Sequence, residues 1–411
     1  MKFSAVILSV ALIKSGHANE ALDLLEAEAG QAQNVFEHAA RVPASAQDTV
    51  QAPKNFPKPD PQFPMRWATD VPPKFPFEIS PQTTVAPRGL FEYQYRDGEI
   101  ARGARLSRAR VGVALETFYG IEILADALFS SSGDYQGWET LRASIPLNDQ
   151  VFLAAGKFPP PFSTEYSRDA AVRWFPTLSP LTAQIAPSSS LGVMLEGRDH
   201  SLDWKVGWFG SDADRSIPSL DGKGYLLASI ANASNRGGDE NNPGPYYQRW
   251  HLDYIYNMDG ASSESIPMGY RHLVSAGAEL SAGRFDFYTE FLLARSSENT
   301  AYGVTVAGRY WLLQDALSFV GRYQYATSRD PGGLVTGWGI PSTGSDATSP
   351  SDFPIFTTAG QLSSIYGGLN VHLDDDNFVI GTGLEYRSLT DVVDDDDFSS
   401  WGWNTFARYA F

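Results

Sequence analysis

From Gly89 onward the chain alternates apolar and polar residues with a period of two. In 202–208, Leu202, Trp204, Val206 and Trp208 stand against Asp203, Lys205 and Gly207. In 249–257, Trp250, Leu252, Tyr254 and Tyr256 oppose Arg249, His251, Asp253 and Asn257, and Ile255 alone breaks the polar row. Phe285, Phe287, Phe291 and Leu293 oppose Asp286 and Glu290, as Val111, Val113 and Leu115 oppose Arg108, Arg110 and Glu116. A strand sends successive side chains to opposite faces, so each segment carries one apolar and one polar face. Such strands suit a soluble sandwich with a wet exterior, or a barrel inverted to be greasy outside and watery inside.

Strand count and connection length separate the two. Strands are expected near 89–96, 106–118, 121–130, 137–145, 151–158, 189–197, 201–209, 223–232, 247–257, 271–280, 284–295, 302–312, 316–326, 362–372, 377–387 and 401–411. That is sixteen, an even number, as bacterial single-chain barrels have. Tight turns fall at Tyr119-Gly120, Leu147–Asp149, Asp199-His200, Ala282-Gly283, Gln314-Asp315 and Asp374–Asn377, and longer segments at 159–188, 210–222, 258–270, 327–361 and 388–400. Short turns on one side and long loops on the other mark an outer-membrane barrel. One connection, 233–246, is long where parity asks for a short turn; it is either an insertion or a slip of strand phase.

Composition agrees. Hydrophobic residues are 43% and aromatic residues 13% of the chain, yet mean hydropathy is −0.24. No apolar run reaches the roughly 20 residues of a spanning helix. A net charge of −17 argues against nucleic acid, which needs a positive face. The absence of cysteine removes disulfides and thiolate metal sites.

The N-terminal region divides into three. Lys2, the apolar run 3–13 and Gly16-His17-Ala18 describe an export signal over 1–18. Within 19–52, Leu22, Leu25, Ala29, Ala32 and Phe36 have helical spacing, which fits a short helical or disordered periplasmic arm. Residues 53–88 hold ten of the 26 prolines and read as an extended linker. The barrel is then expected over 89–411. Its last strand carries Trp401, Trp403, Tyr409 and Phe411 on one face. A soluble protein would expose that sticky edge, whereas a closed barrel pairs it with the first strand. A terminal phenylalanine on such a strand also resembles the signal read by the outer-membrane assembly machinery.

Residues 106–118 (LSRARVGVALETF) and 155–170 (AGKFPPPFSTEYSRDA) resemble the arginine-rich second strand and the constriction-loop entry of the phosphate-selective porin O and P family. Residues 276–295 and 302–312 resemble its later hairpins. The resemblance covers roughly 89–411. It implies a sixteen-stranded antiparallel transmembrane barrel, usually trimeric, with an inward-folded loop and no cofactor.

Phosphate selectivity requires a path of Arg and Lys that replaces the anion's water. Arg108, Arg110, Arg142, Lys157, Lys205, Arg249, Arg309, Arg322 and Arg408 fall on the expected interior face, and Arg168 and Arg173 in the expected constriction loop. The same face carries Glu116, Glu122, Asp126, Glu196, Asp203, Asp253, Asp286, Glu290 and Glu385. Mixed charge describes a general pore, and the family's dense arginine ladder is not visible in the period-two pattern. Loop 159–188 opens on Pro159-Pro160-Pro161 and contains Tyr166, Trp174 and Phe175, which suits an inward filter or an outer cap.

Other chemistry finds little support. The acidic runs 374–376 and 394–397 lack the glycine-punctuated spacing of a calcium loop, and the six histidines show no metal-ligand spacing. His251 is the one candidate base on the polar face, with no nucleophile motif near it. The sequence therefore reads as an outer-membrane porin, a passive diffusion channel for small hydrophilic solutes, with anion or phosphate preference as the finer question. Its partners are lipid, solute, the assembly machinery and two further copies of itself, not nucleic acid. The competing classes are a non-conducting structural or adhesive barrel and a secreted soluble all-β protein.

Overall fold

The computed structural model describes the chain from Phe77 onward, save for 212–222, 237–245, 260–269, 329–333, 336–357 and 393–396 and runs of one to three residues at 81–82, 99–101, 118, 169, 200–201, 298–299 and 374–376. The export signal, the helical arm and most of the proline-rich linker lie outside the described residues, as do most of the two acidic runs.

Sixteen antiparallel strands close on themselves. They are β1 (Thr83–Gly98), β2 (Arg102–Thr117), β3 (Glu122–Phe129), β4 (Tyr135–Pro146), β5 (Val151–Phe158), β6 (Ser190–Asp199), β7 (Leu202–Phe209) and β8 (Tyr225–Arg236). There follow β9 (Tyr246–Asn257), β10 (His272–Ala282), β11 (Phe285–Arg295), β12 (Thr300–Leu313), β13 (Leu317–Ser328), β14 (Thr358–Leu373), β15 (Phe378–Val392) and β16 (Phe398–Ala410). Every expected strand is present. Each pairs with its neighbours in sequence, and β16 returns to β1 through a register running from Gly402↔Gly98 to Ala410↔Leu90. Two short strands extend the sheet: Phe77–Ser80 folds back on β1, and Leu334–Val335 pairs with the start of β14.

Burial inverts that of a soluble protein. Outward rows are apolar and exposed, with Val111 44%, Phe319 48%, Ile365 58% and Trp401 62% accessible. Inward rows are polar and buried, with Glu290 and Glu385 at 1% and Arg408 at 2%. Only lipid stabilises the first face, so the barrel spans a membrane. It belongs to the outer membrane, where closed barrels of this kind are inserted. The soluble sandwich is thereby excluded.

Connections obey the expected parity. Even-to-odd pairs are joined at 118–121, 147–150, 200–201, 283–284, 314–316 and 374–377, and the long segments 159–189, 210–224, 258–271 and 329–357 all join odd-to-even pairs, whereas the expected long segment 388–400 shrinks to 393–397 because the strands continue into it. The exception resolves as an insertion. β8 and β9 pair in unbroken register from Asn257↔Tyr225 to Tyr246↔Arg236, so the strand phase does not slip and the long turn shrinks to 237–245. The long-loop end is taken as the extracellular one.

Candidate pore and constriction loop

The segment after β5 does not cap the barrel; it folds into it. Phe158 and Phe162 are buried, and the rigid Pro159–Pro161 run leads to Ser163, held at φ 71°. A non-glycine residue in that region is strained and persists only where its surroundings fix it. Here the Ser163 N–H donates to Asp253 Oδ2 (2.9 Å) and its hydroxyl to Glu290 Oε2 (3.0 Å), while the Thr164 N–H donates to Glu290 Oε1 (2.7 Å). His251 completes the anchor. Its ring meets Thr164 Oγ1 (3.1 Å) and Ser275 Oγ (3.1 Å), 3.6 Å from Asp253 and 3.5 Å from Glu290. Gly277, across the strand pair, makes room for that ring: a Cβ there would lie 2.2 Å from His251 Cε1. His251 is 5% accessible and packed against the loop, so it has no space for a substrate and serves as an anchor.

Two short helices continue the loop. α1 (Thr164–Ser167) starts on the Ser163 cap, and α2 (Pro180–Ile185) has Ser179 as its cap and proline at its first position. Glu165 ties both to the wall: it accepts from the Ser179 N–H (2.9 Å) and from Arg322 Nη1 (2.7 Å). Arg168 pairs with Glu279 of β10 at 2.6 Å. The following backbone carbonyls are met by wall donors in turn. Asn370 donates to Trp174, Arg408 to Arg173 (2.6 Å) and Phe175, Gln94 to Pro176, and Arg322 to Thr177 (2.7 Å). Loop 159–189 thus crosses the interior from the β9–β11 wall to β13, β14, β16 and β1. Beside it lies a small recess lined by Glu165, Arg168, Arg173, Trp174, Phe175, Thr177 and Tyr288.

An apolar cluster fills the interior under the long loops. Phe162, Leu181 and Ile185 pack there against Phe209, Tyr225, Leu227, Ile255, Leu273 and Leu292.

The expected site residues divide by what they touch. Arg142 pairs with Glu196 (2.8 Å), Arg110 with Glu139 (3.2 Å) and Arg249 with Glu279 (3.0 Å). Arg309 pairs with Asp286 (2.7 Å) and stacks on Trp174 and Trp311. Arg322 and Arg408 hold the loop, and Arg173 donates to its own loop's carbonyls at Arg168 (3.2 Å) and Tyr166 (3.3 Å). Lys205 sits on the interior row, opposite Glu196 and Ser229. Arg108 is half-buried beside Glu92, and among the described residues no ion pair engages it. Lys157 is placed differently. It follows Gly156, at φ 126°, and pairs with Leu141 and Leu191, while the interior row runs through Arg142 and Gly156; its side chain is nonetheless buried.

Four further arginines on inward rows escaped the period-two reading. Arg88 pairs with Asp126 (3.2 Å), Arg387 makes a two-pronged contact with Glu385 (3.0 and 3.1 Å), and Arg96 and Arg105 stand on β1 and β2. On β15, β16, β1 and β2 the inward rows therefore carry Arg387, Arg408, Arg88, Arg96, Arg105, Arg108 and Arg110 against Glu385, Glu92 and Glu116. Across the barrel, β9–β11 carry Asp253, Glu279, Asp286 and Glu290 against Arg249. The arginine-rich wall missing from the linear pattern is thus assembled by closure, and the interior has a basic half and an acidic half. The loop entry, Ser163 to Arg168, is anchored on the acidic half, and its middle is held by Asn370, Arg408, Gln94 and Arg322.

No protein-family model matches the chain, and no curated protein matches it in sequence. Solved structures do. An anion-selective porin from Comamonas acidovorans superposes over 80% of this chain and 100% of its own, at 9% identity and a TM-score of 0.53. The outer membrane channel DcaP of Acinetobacter baumannii aligns over 82% and 99% of the two chains, at 11% identity and 0.52. A loop L8 deletion mutant of OmpT, an outer membrane protein of Vibrio cholerae, covers 80% and 100%, at 13% identity and 0.52. At such identities the likeness is one of fold: the chain is a sixteen-stranded outer-membrane barrel of the architecture that porins use.

Proposed function

We propose that this barrel is a porin, a passive channel for small hydrophilic solutes with a preference for anions, in which loop 159–189 forms the constriction. The observation that carries the reading is the gathering of arginines on one wall, with the loop entry anchored to the acidic residues of the other. Ser163 and Thr164 donate to Asp253 and Glu290, and Arg168 pairs with Glu279, so these carboxylates are turned to the loop rather than to the open path. Arg108, half-buried on the other side, is engaged by no ion pair among the described residues and is left facing the solute path. Guanidinium groups facing a water-filled path replace part of an anion's hydration and repel cations. The anion-selective porin among the similar folds is compatible with this, as is the resemblance of 106–118 and 155–170 to the phosphate-selective O and P porins. Phosphate in particular has less support, because most interior arginines are already matched by carboxylates. The test is the reversal potential of the reconstituted protein in a salt gradient. Anion-side values are expected, and a cation-side value would overturn the preference.

The oligomer is proposed to be a homotrimer. Exposed aromatic rings on the outer face cluster on β9, β11–β13 and β16, among them Trp250, Phe285, Phe319 and Trp403, whereas β2–β6 present chiefly Val111, Val113, Ile123, Leu141, Val193 and Leu195, with the Tyr135 ring at the outer end of β4. Interfacial aromatics favour lipid headgroups, so a smooth aliphatic stretch suits a neighbouring copy better. A second reading, a non-conducting barrel, draws on the apolar cluster around Phe162, Leu181 and Ile185. Planar-bilayer recording separates the two, since a folded protein that never opens would favour the plugged barrel.

A further inference from the structure

The lipid-facing surface is apolar over most of its extent, and among the residues whose side chains are described an arginine interrupts it near the long-loop end. Arg295 ends β11 on the outward row of Phe291 and Leu293, at the long-loop end, and it is exposed. Register sets His272 of β10 directly beside it and Thr300 of β12 on its other side, with Tyr256 of β9 beyond His272. Tyr256, His272, Arg295 and Thr300 therefore stand in one row across four adjacent strands, about 4.8 Å apart. One step toward the membrane centre stand the exposed rings of Tyr254 and Tyr302. The His272 ring is already oriented: its Nδ1 lies 2.8 Å from the Tyr254 hydroxyl, and its centroid lies 5.4 Å from that of Tyr256. This leaves Nε2 on the opposite edge of the ring. Among the described residues, no ion pair engages Arg295.

An arginine on a lipid-facing row is costly unless its head reaches the interface or meets an anion there. The tyrosines below mark that interface. The chain as a whole carries −17, so a guanidinium and an imidazole side by side are not part of a generally basic surface. A guanidinium fork, a ring nitrogen and a hydroxyl on neighbouring strands match the several oxygens of a phosphate. We infer that Tyr256, His272, Arg295 and Thr300 form a docking site for the phosphate headgroup of an outer-leaflet lipid. The site rests on the membrane location alone and is independent of whether the pore conducts or what it selects.

Thermal unfolding of the full chain in detergent micelles tests this, with diphosphoryl lipid A as the probe. The same lipid stripped of phosphate and inorganic phosphate at millimolar concentration serve as comparisons. Diphosphoryl lipid should raise the melting temperature and the other two should not. The double substitution Arg295→Gln with His272→Gln should weaken the lipid's apparent affinity about tenfold or more, the loss expected for one charge-assisted contact. Arg295→Lys, which keeps the charge without the fork, should fall between. Equal stabilisation by the stripped lipid would reduce the site to apolar contact and overturn the inference. Stabilisation by inorganic phosphate alone would make it a free-ion site, and wild-type affinity in the double variant would remove it altogether.

Discussion

Arg408 on the last strand donates through Nε to Glu92 on the first, at 2.7 Å, across the seam where the barrel closes. The same guanidinium donates through Nη1 to the Arg173 carbonyl in the constriction loop, at 2.6 Å. One side chain thus joins barrel closure to loop position, both groups being nearly inaccessible. Removing one partner of a buried pair leaves an uncompensated charge, at a cost of about 3–5 kcal/mol. Arg408→Ala should therefore unfold at lower temperature in detergent and, where it folds, show noisier and larger single-channel conductance. An unchanged melting temperature would mean that water or another group compensates Glu92.

Loop anchoring gives a second expectation. Glu290 accepts from the Ser163 hydroxyl, the Thr164 N–H and the Ser275 hydroxyl (2.8 Å), and hydrogen bonds to charged groups contribute about 1.5–3 kcal/mol each. Glu290→Ala should release the loop entry, relax Ser163 from its strained φ and raise the size limit of solutes in liposome swelling. Glu290→Gln, which keeps acceptors, should lie closer to wild type. Swelling rates unchanged in the alanine variant would show that the Arg322, Asn370 and Arg408 contacts suffice to hold the loop.

Selectivity should respond most to the arginine with the fewest obligations. Arg108 faces the interior beside Glu92, and among the described residues no ion pair engages it, whereas Arg322 and Arg408 are committed to the loop. Arg108→Glu should shift the reversal potential toward cations at some cost in melting temperature, because it sets a second carboxylate beside buried Glu92, and Arg108→Gln should shift it less with a melting temperature closer to wild type. A shift from Arg322→Gln larger than that from Arg108→Glu would move the selective path to the far wall.

The sequence disclosed the strands and their parity because both depend on local alternation. It disclosed the loop through three consecutive prolines between Phe158 and Phe162. Its misses have separate causes. Arg96 and Arg387 are the last residues of the expected strands 89–96 and 377–387, whereas β1 and β15 continue to Gly98 and Val392, so both stand within the paired sheet rather than at its edge. Arg105 was lost to a bulge at Ser107, where the pairing steps from Glu92↔Arg108 to Tyr93↔Leu106 and reverses the phase of earlier residues. Arg88 was hidden by Pro87, which reads as linker but occupies an outward position of β1. The Arg408–Glu92 pair spans 316 residues, and no local pattern reports a contact of that range.

The subunit face can be mapped without disturbing charge or volume much, because the chain has no cysteine. A single cysteine at Val113, on the aliphatic side, should be reached from a neighbouring copy and cross-link with a short bifunctional reagent. One at Phe319, on the aromatic side, should not. Cross-linking at both positions would indicate random contact in the membrane, and at Phe319 alone would move the interface to the opposite side.

Outer-loop order should depend on pH through Asp259. Its carboxylate accepts from the Ser211 hydroxyl and from the N–H groups of Lys223 (2.7 Å) and Gly224 (2.9 Å), tying the segments after β7 and β9 together. Partial burial opposes ionisation, but these donors outweigh it and hold the carboxyl below the usual aspartate range. A depressed folded value means that the stabilisation is complete above the unfolded aspartate value, about 3.9, and disappears as pH falls through the lower folded one. Amide exchange at Lys223 and Gly224 should therefore be slow from neutral pH down to about 4 and lose its protection below that. Asp259→Asn should lose part of that protection even at pH 7, because a neutral amide oxygen is a weaker acceptor than a carboxylate. Protection that never fell with pH while the barrel stayed folded, or that was unaltered in the asparagine variant, would assign the loop order to the neighbouring Trp208 indole contact with the Lys223 carbonyl (3.0 Å) instead.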